Sequence, residues 1–218
     1  MTRTADGPGP RLIALTGGIG AGKSTAASML REWGAQVVDA DRVAHDVLHP
    51  RDPRSSPLLQ HLRELLGADV FTAEGELDRT AVSARIFADD DLRQRYVEAL
   101  RPAISEAMRR ALDGALTTGG IMPVVHEIPL LAGNAEDLPW SYAEIVTVEA
   151  ADGIRIARLT ASRGYGDEEA RRRILAQGTR AAREHLADVI IENDGELTDL
   201  TAALEALWVR WTGASPSS

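Results

Sequence analysis

The sequence contains no cysteine and no long hydrophobic segment. Without cysteine the chain can form neither a disulfide bond nor a thiolate metal site, which fits a reducing compartment such as the cytoplasm. No apolar run approaches the roughly 18 residues that a membrane-spanning helix needs. The formal net charge is −9, and this excess of acid argues against non-specific nucleic-acid binding. We therefore expect a cytoplasmic globular protein that binds neither a membrane nor a nucleic acid, with its oligomeric state left open.

Lysine is almost absent as well. The chain has 24 lysine and arginine residues together, and Lys23 is the only lysine among them. This indicates that position 23 requires an ammonium group that arginine does not replace. An ammonium group is a compact point charge that can reach phosphates, a role for which the wider guanidinium group is poorly shaped.

Short apolar segments alternate with helical patterns along the chain. Five segments are predicted to be buried strands: residues 11–15, 36–39, 121–128, 143–148 and 187–191. Eight segments show helical spacing: residues 24–33, 41–48, 57–66, 78–87, 89–116, 154–163, 168–177 and 196–211. Pro102 is expected to kink or divide the longest helix. This alternation predicts a three-layer α/β fold around a five-stranded parallel sheet.

A glycine-rich loop follows the first predicted strand. The segment 17–24, Gly-Gly-Ile-Gly-Ala-Gly-Lys-Ser, fits the pattern GxxxxGK[ST] and opens a predicted helix, as this motif requires. Its glycines allow close backbone approach to phosphate, and its amide groups together with the helix N-terminus form an anion site. Lys23 would reach the β- and γ-phosphates of a nucleoside triphosphate, and the Ser24 hydroxyl would bind Mg²⁺.

The loop by itself does not define a reaction, because switches, motors and kinases all carry it. Guanine-specific switches usually carry an Asn-Lys-x-Asp motif, and neither asparagine of this chain, Asn134 or Asn193, precedes a lysine. A regulatory nucleotide switch is therefore disfavoured but stays an alternative. A kinase for another small molecule, such as a nucleotide or a sugar, is the second alternative.

Two carboxylates end the second predicted strand, Asp39 and Asp41. In doubly wound sheets the carboxyl ends of the strands form the ligand crevice. A carboxylate at that edge can accept a proton from an acceptor hydroxyl group or help to hold Mg²⁺. Asp41 is the preferred candidate, and the alternative is that it only caps the following helix. Glu127, at the end of the third strand, is either a further Mg²⁺ candidate or a polar strand end.

With these motifs in place, the chain resembles the dephospho-coenzyme A kinase family over about residues 11 to 210. The resemblance is carried by segments whose order and spacing match the family: Leu15-Thr16-Gly17-Gly18-Ile19-Gly20, Val38-Asp39-Ala40-Asp41, His45, Gly75-Glu76-Leu77-Asp78-Arg79, Ile86-Phe87, Ile128-Pro129-Leu130-Leu131, Ile174-Leu175-Ala176-Gln177, Ala187-Asp188-Val189-Ile190 and Asn193. The chain departs from the family at Arg101, where histidine is usual, and at Gly133, where glutamate is usual.

The resemblance implies transfer of a phosphoryl group from ATP to the ribose 3′-hydroxyl group of dephospho-coenzyme A, with Mg²⁺. It implies that Asp41 and Lys23 are catalytic and that Thr16, Asp41 and Arg79 bind the acceptor, with Ser24 as the metal ligand. The ATP-binding residues that it implies are Gly18, Ile19, Gly20, Ala21, Gly22, Lys23, Ser24, Thr25, Arg158, Arg163 and Asn193.

One downstream segment is rich in arginine. Residues 154–185 contain eight arginines and four acidic residues, a local excess of four positive charges in an acidic chain. We expect a lid that closes over ATP and excludes water, with Arg158 and Arg163 as its best phosphate ligands. The alternative is a solvated basic helix face.

The expected organisation is one P-loop kinase domain over residues 11–212. Within it we expect an acceptor-binding lobe at about residues 50–117 and a lid at about residues 163–185. Residues 1–10 and 213–218 are expected to be disordered tails.

Overall fold

A computed structural model describes residues 11–128 and 140–216. Of the expected tails, residues 1–10 and 217–218 lie outside these described residues, so their disorder stays a prediction. Five strands are present in the described part of the chain: β1 (Leu12–Gly17), β2 (Gln36–Asp39), β3 (Val124–Glu127), β4 (Glu144–Glu149) and β5 (Val189–Glu192). The nine α-helices of the same residues are α1 (Lys23–Glu32), α2 (Ala40–Leu48), α3 (Pro57–Leu66), α4 (Arg79–Ala88), α5 (Asp90–Thr118), α6 (Asp152–Arg163), α7 (Asp167–Leu175), α8 (Arg180–Leu186) and α9 (Leu197–Thr212).

The strands form one parallel sheet in the order β2-β3-β1-β4-β5. All six residues of β1 are buried, because this central strand has a covered surface on both faces. The register places Leu15 of β1 beside Glu127 of β3, and Glu127 beside Asp39 of β2. The α/β fold and the five parallel strands predicted from the sequence are confirmed.

Helices α1 and α9 pack against one face of the sheet. Their apolar side chains join those of the strands in a single buried cluster that includes Ile13, Leu30, Val146 and Trp208. The edge of the Trp33 ring packs on Trp208, with 5.9 Å between the ring centroids. This cluster fixes the start of α1, and with it the loop between β1 and α1, against the centre of the sheet.

The helix ends follow from local sequence. Asp78 begins α4 by accepting hydrogen bonds from the amide groups of Thr80 and Ala81. Thr179 does the same for α8 through the amide group of Ala182. Helix α8 was not among the predicted helices, because its residues were predicted only to belong to a lid.

Pro102 does not divide α5, which runs without interruption from Asp90 to Thr118. A proline inside a helix removes one hydrogen bond to the carbonyl group four residues earlier. Here that carbonyl belongs to Glu98, an exposed residue, so water can replace the lost partner. The alternative that Pro102 splits this helix is therefore wrong.

The chain forms two compact units, of which residues 41–111 are one and the remaining described residues are the other. The smaller unit is helical and has its own apolar cluster, which includes Leu59, Leu62, Leu66, Val70 and Val82. The larger unit holds the whole sheet and the glycine loop. The expected acceptor lobe at about residues 50–117 and lid at about residues 163–185 stay predictions. No helix in the described residues is both long and apolar enough to span a membrane.

Candidate active site

The glycine loop runs from the end of β1 into the first turn of α1, as the motif predicts. Gly22, the residue before α1, has φ = 107°, and Gly20 has φ = 78°. Residues with a side chain rarely adopt these conformations. At Gly22 an added Cβ atom would also overlap the Nδ2 atom of Asn193. Glycine is thus required at this position both by the backbone and by its neighbour.

Side chains from distant parts of the chain hold this loop by its carbonyl groups. The Nδ2 group of Asn193 donates to the Ala21 oxygen over 2.7 Å, and Nη1 of Arg158 lies 3.4 Å from the same oxygen. Arg155 donates through Nε to the Ile19 oxygen over 2.9 Å. Asn193 and Arg158, both predicted from the sequence, are therefore brought to the loop. Arg155 was not singled out among the arginines.

The arginine-rich segment also contacts the loop. Gln177 lies in the turn after α7, and its Oε1 atom accepts the amide hydrogen of Ile19 over 2.6 Å. The sequence offered Gln177 only as part of the family resemblance and gave it no role. Through this bond, the turn after α7 is attached to the phosphate loop.

Lys23 is paired with Glu127. Its Nζ atom lies 2.8 Å from Oε1 of Glu127, and the Ser24 hydroxyl group lies 3.3 Å from the same oxygen. Glu127 stands at the carboxyl end of β3, in the register row of Leu15, so the pairing of β3 with β1 places its carboxylate beside the loop. The sequence is compatible with Glu127 as either a metal ligand or a polar strand end, and in the structure its carboxylate contacts Lys23 and Ser24.

The oxygen atoms beside Lys23 suit Mg²⁺, which prefers carboxylate, hydroxyl and phosphate ligands and is usually held by few protein groups. Ser24 and Glu127 would supply such a pair, with the remaining ligands coming from phosphates and water. No cluster of three or more metal-binding side chains occurs in residues 11–128 and 140–216, so an all-protein metal cage is not formed there.

The polar side chains of Thr16, Thr147 and His126 lie on the same face of the sheet. Thr16 pairs with Thr147 across β1 and β4, and the Oγ1 atom of Thr16 is buried without a hydrogen-bond partner in the described residues. His126, two residues before Ile128, is buried and shares a hydrogen bond of 2.8 Å between Nδ1 and the Tyr142 hydroxyl group. Burial lowers the pKa of His126 from 6.5 to about 4 and raises that of Tyr142, so both are neutral at pH 7.

Several arginines of the arginine-rich segment are already paired with acids. Arg183 makes two hydrogen bonds to Glu149 at 2.6 and 2.8 Å, and both side chains are fully buried. Arg173 pairs with Glu169, and Arg180 pairs with Glu184 and Glu192. The positive charge counted in this segment is therefore partly neutralised within the fold.

The other predicted site residues are exposed and lie at the ends of helices. Ser24 and Thr25, the first-turn hydroxyl residues of α1, are exposed, and Arg163, the last residue of α6, is exposed as well. In the smaller unit, Arg79 is exposed at the start of α4. Asp41 lies in the first turn of α2, which begins one residue earlier at Ala40.

Two departures from the family pattern were noted in the sequence. Arg101 is exposed on α5, directly before Pro102. Gly133 and the segment 129–131 lie outside the described residues.

The comparisons with known proteins agree on one family. The model of the dephospho-CoA kinase (CoaE) family matches residues 11–199. The dephospho-CoA kinase of Streptomyces avermitilis is 36% identical over 196 residues, covering 90% of this chain and 91% of the relative. That of Thermobifida fusca is 35% identical over 200 residues, covering 90% and 94%.

Solved structures give the same fold. The Thermus thermophilus protein TT1252 superposes with a TM-score of 0.75 at 29% identity, covering 94% of this chain and all of that one. Dephospho-CoA kinase from Campylobacter jejuni superposes with a TM-score of 0.67 at 19% identity, covering 93% and 98%. Taken with the matched length and the phosphate loop, these similarities show that the chain belongs to the dephospho-CoA kinase family of ATP-dependent kinases.

Proposed function

We propose that this protein transfers the γ-phosphoryl group of ATP to the ribose 3′-hydroxyl group of dephospho-CoA, giving CoA and ADP in the last step of CoA biosynthesis. The observation that carries the proposal is the ammonium group of Lys23, the chain's only lysine, which lies beside Ser24 and Glu127 at the carboxyl end of the sheet. Family membership supplies the acceptor.

The phosphate loop binds the triphosphate. The N-terminus of α1, with the amide groups of residues 22–25, faces the phosphates, and Lys23 leaves Glu127 to neutralise the β- and γ-phosphate oxygens. Asn193 and Arg158 keep the carbonyl group of Ala21 turned away from this anion, since both donate to it. Without such donors, a carbonyl oxygen near the phosphates would repel them.

Mg²⁺ would be held by the Ser24 hydroxyl group, with Glu127 as the nearest carboxylate. When bound, this ion would neutralise charge on the transferring phosphoryl group. Lys23 and Ser24 share one oxygen of Glu127, so the carboxylate that an ion would use is the one that orients the lysine before ATP binds.

Asp41 acts on the acceptor. Its carboxylate accepts the proton of the 3′-hydroxyl group as the oxygen attacks the γ-phosphorus atom and the bond to the bridging β–γ oxygen breaks. Thr16 and Arg79 bind the acceptor, and residues 50–117 form the lobe that recognises it. Residues 163–185 act as the lid, from which Arg163 reaches the phosphates, while Arg158 binds them from α6. The reaction takes place in the cytoplasm, where ATP is supplied.

The direct test is a chromatographic assay for CoA with purified protein, ATP, Mg²⁺ and dephospho-CoA. We expect CoA and ADP in equal amounts, and no ADP when the acceptor is left out. Production of ADP from a nucleoside or sugar acceptor, without CoA from dephospho-CoA, would refute the substrate. Tight nucleotide binding with slow, acceptor-independent hydrolysis would instead indicate a switch.

The role of Asp41 has a separate test on α2. Asp41→Asn should lower kcat by about 10²–10⁴-fold, the usual contribution of a general base. Asp46→Asn is the matched control, since Asp46 is an exposed aspartate of the same helix. Near-normal turnover by Asp41→Asn, or an equal loss in Asp46→Asn, would exclude the proposed role.

A further inference from the structure

Arg155 is a buried arginine that lies against the phosphate loop. It belongs to the first turns of α6, and its side chain is only 3% exposed. Its Nε atom donates to the carbonyl oxygen of Ile19 over 2.9 Å, and its Nη1 atom lies 3.0 Å from Oδ1 of Asp152. One guanidinium group is therefore bonded both to the loop and to its own helix.

The third nitrogen of this guanidinium group has no partner. Nη2 of Arg155 is buried, and no hydrogen-bond acceptor contacts it within the described residues. Burying a charged donor without an acceptor is unfavourable, and native proteins rarely do so without a functional reason. Nη2 also lies next to Gly18, because a Cβ atom added to that glycine would be 2.5 Å from it.

The phosphate-loop motif does not require the glycine at position 18. The pattern GxxxxGK[ST] fixes Gly17 and Gly22 but leaves the position of Gly18 free. In this chain the guanidinium group of Arg155 occupies the space that a side chain at position 18 would need. The backbone oxygen of Arg155 limits Gly20 in the same way, at 2.9 Å from a Cβ atom added there. Arg155 thus packs against the loop segment Gly18–Gly20 through both its side chain and its backbone.

The pKa of the Arg155 guanidinium group depends on burial and on three charged neighbours. Burial is the main cause of a lowered pKa for Arg155, followed by the nearby charge of Arg183, while Asp152 and Glu149 act in the opposite direction. Glu149 is itself bonded to Arg183 through both of its carboxylate oxygens. The positive charge at Arg155 is therefore only partly balanced by the protein, and the loop beside it is built to receive an anion.

We propose that Arg155 is a positioning residue for the triphosphate of ATP. It fixes the segment Gly18–Gly20 through the Ile19 carbonyl group, so that this oxygen is turned away from the phosphates, and its incompletely balanced charge adds to that of Lys23. The inference rests on the ATP-binding part of the proposed function. It adds a residue outside the motif, and the effect of this residue on binding depends on the phosphates of ATP and not on the adenine base.

The test is calorimetric binding of ATP and of AMP, without acceptor, to the wild type and to Arg155→Met, Arg155→Lys and Arg31→Met. Arg155→Met keeps a side chain of similar reach but loses the charge and the donors. Losing a hydrogen bond from a charged group typically weakens binding about 10- to 100-fold, so we expect a loss of that size in ATP affinity, with AMP affinity changed by less than about threefold. Arg31, exposed on α1, is the matched control and should leave both affinities unchanged.

Arg155→Lys retains the charge but not the planar fork that reaches Ile19 while packing on Gly18, so it should recover only part of the ATP affinity. This variant also decides the matter if Arg155→Met does not fold. An ATP dissociation constant within twofold of the wild type in either folded variant overturns the inference, as does an equal loss for ATP and AMP. Absence of ATP binding by the wild type would overturn the proposed function itself, which is a different outcome.

Discussion

The buried imidazole of His126 makes the stability of the protein depend on pH. Its ring is 3% exposed, lies edge-on to Trp140 with 5.2 Å between the ring centroids, and has a pKa lowered by burial from 6.5 to about 4. The unfolded chain therefore binds a proton at this residue at a higher pH than the folded protein does. The stabilisation is fully present above pH 6.5 and is lost as the pH falls through 4.

The magnitude follows from the two pKa values. One pKa unit corresponds to about 1.4 kcal/mol. A pH of 4.5 is two units below the pKa of the imidazole in the unfolded chain, which is then protonated, while the imidazole of the folded protein is still mostly neutral. His126 alone then lowers the free energy of unfolding by about 2 kcal/mol between pH 7 and pH 4.5. Carboxylates add their own pH dependence, so the contribution of His126 has to be isolated with a variant.

The assay is urea denaturation followed by tryptophan fluorescence at pH 7 and at pH 4.5. His126→Gln removes the titrating group and keeps a neutral polar side chain, so its stability difference between the two pH values should be about 2 kcal/mol smaller than that of the wild type. His61→Gln is the matched control, because His61 is exposed on α3, and it should keep the wild-type difference. An unchanged pH dependence in His126→Gln would refute the reasoning.

Three further predictions concern Gly22 of the loop, the buried pair of Arg183 and Glu149, and Mg²⁺. Gly22→Ala should reduce ATP affinity at least 10-fold in calorimetry, because its φ of 107° and the overlap with Asn193 both disfavour a side chain; unchanged affinity would contradict this. Arg183→Met should lower the free energy of unfolding by about 3–5 kcal/mol in urea titrations, since the buried carboxylate of Glu149 would lose both hydrogen bonds from its charged partner, and a loss below 1 kcal/mol would exclude that account. Removal of Mg²⁺ with EDTA should abolish phosphoryl transfer but leave the thermal unfolding temperature of the nucleotide-free protein unchanged.

The local parts of the fold and of the site were predictable from the sequence. The phosphate loop is a contiguous motif between a strand and a helix, so Lys23 and Ser24 could be assigned without tertiary information. The strand order was not predicted, and neither was the register that brings Glu127 to Lys23 over 104 positions of the sequence. That contact depends on which strand pairs with β1, which no local pattern specifies.

The arginines show the same limit more clearly. From sequence, the arginine-rich segment was a pool of positive charge for a lid. In the structure, Arg183 is paired with Glu149, and Arg155 lies against the phosphate loop. Both outcomes depend on where α6 and α8 pack against the ends of the strands. The composition of a segment gives its net charge but does not show which residue pairs with which.

The use of lysine at a single position follows from the shape of the groups around it. Where this chain pairs a carboxylate with arginine in its interior, the guanidinium group holds both oxygens, as Arg183 does with Glu149. Lys23 contacts only one oxygen of Glu127, and that oxygen is shared with the Ser24 hydroxyl group. If Lys23 leaves Glu127 for a phosphate when ATP binds, as proposed, one rotatable ammonium contact serves that exchange better than two parallel bonds. The proposed exchange therefore accounts for a lysine at position 23, while Arg155 and Arg183 keep fixed partners at Ile19 and Glu149.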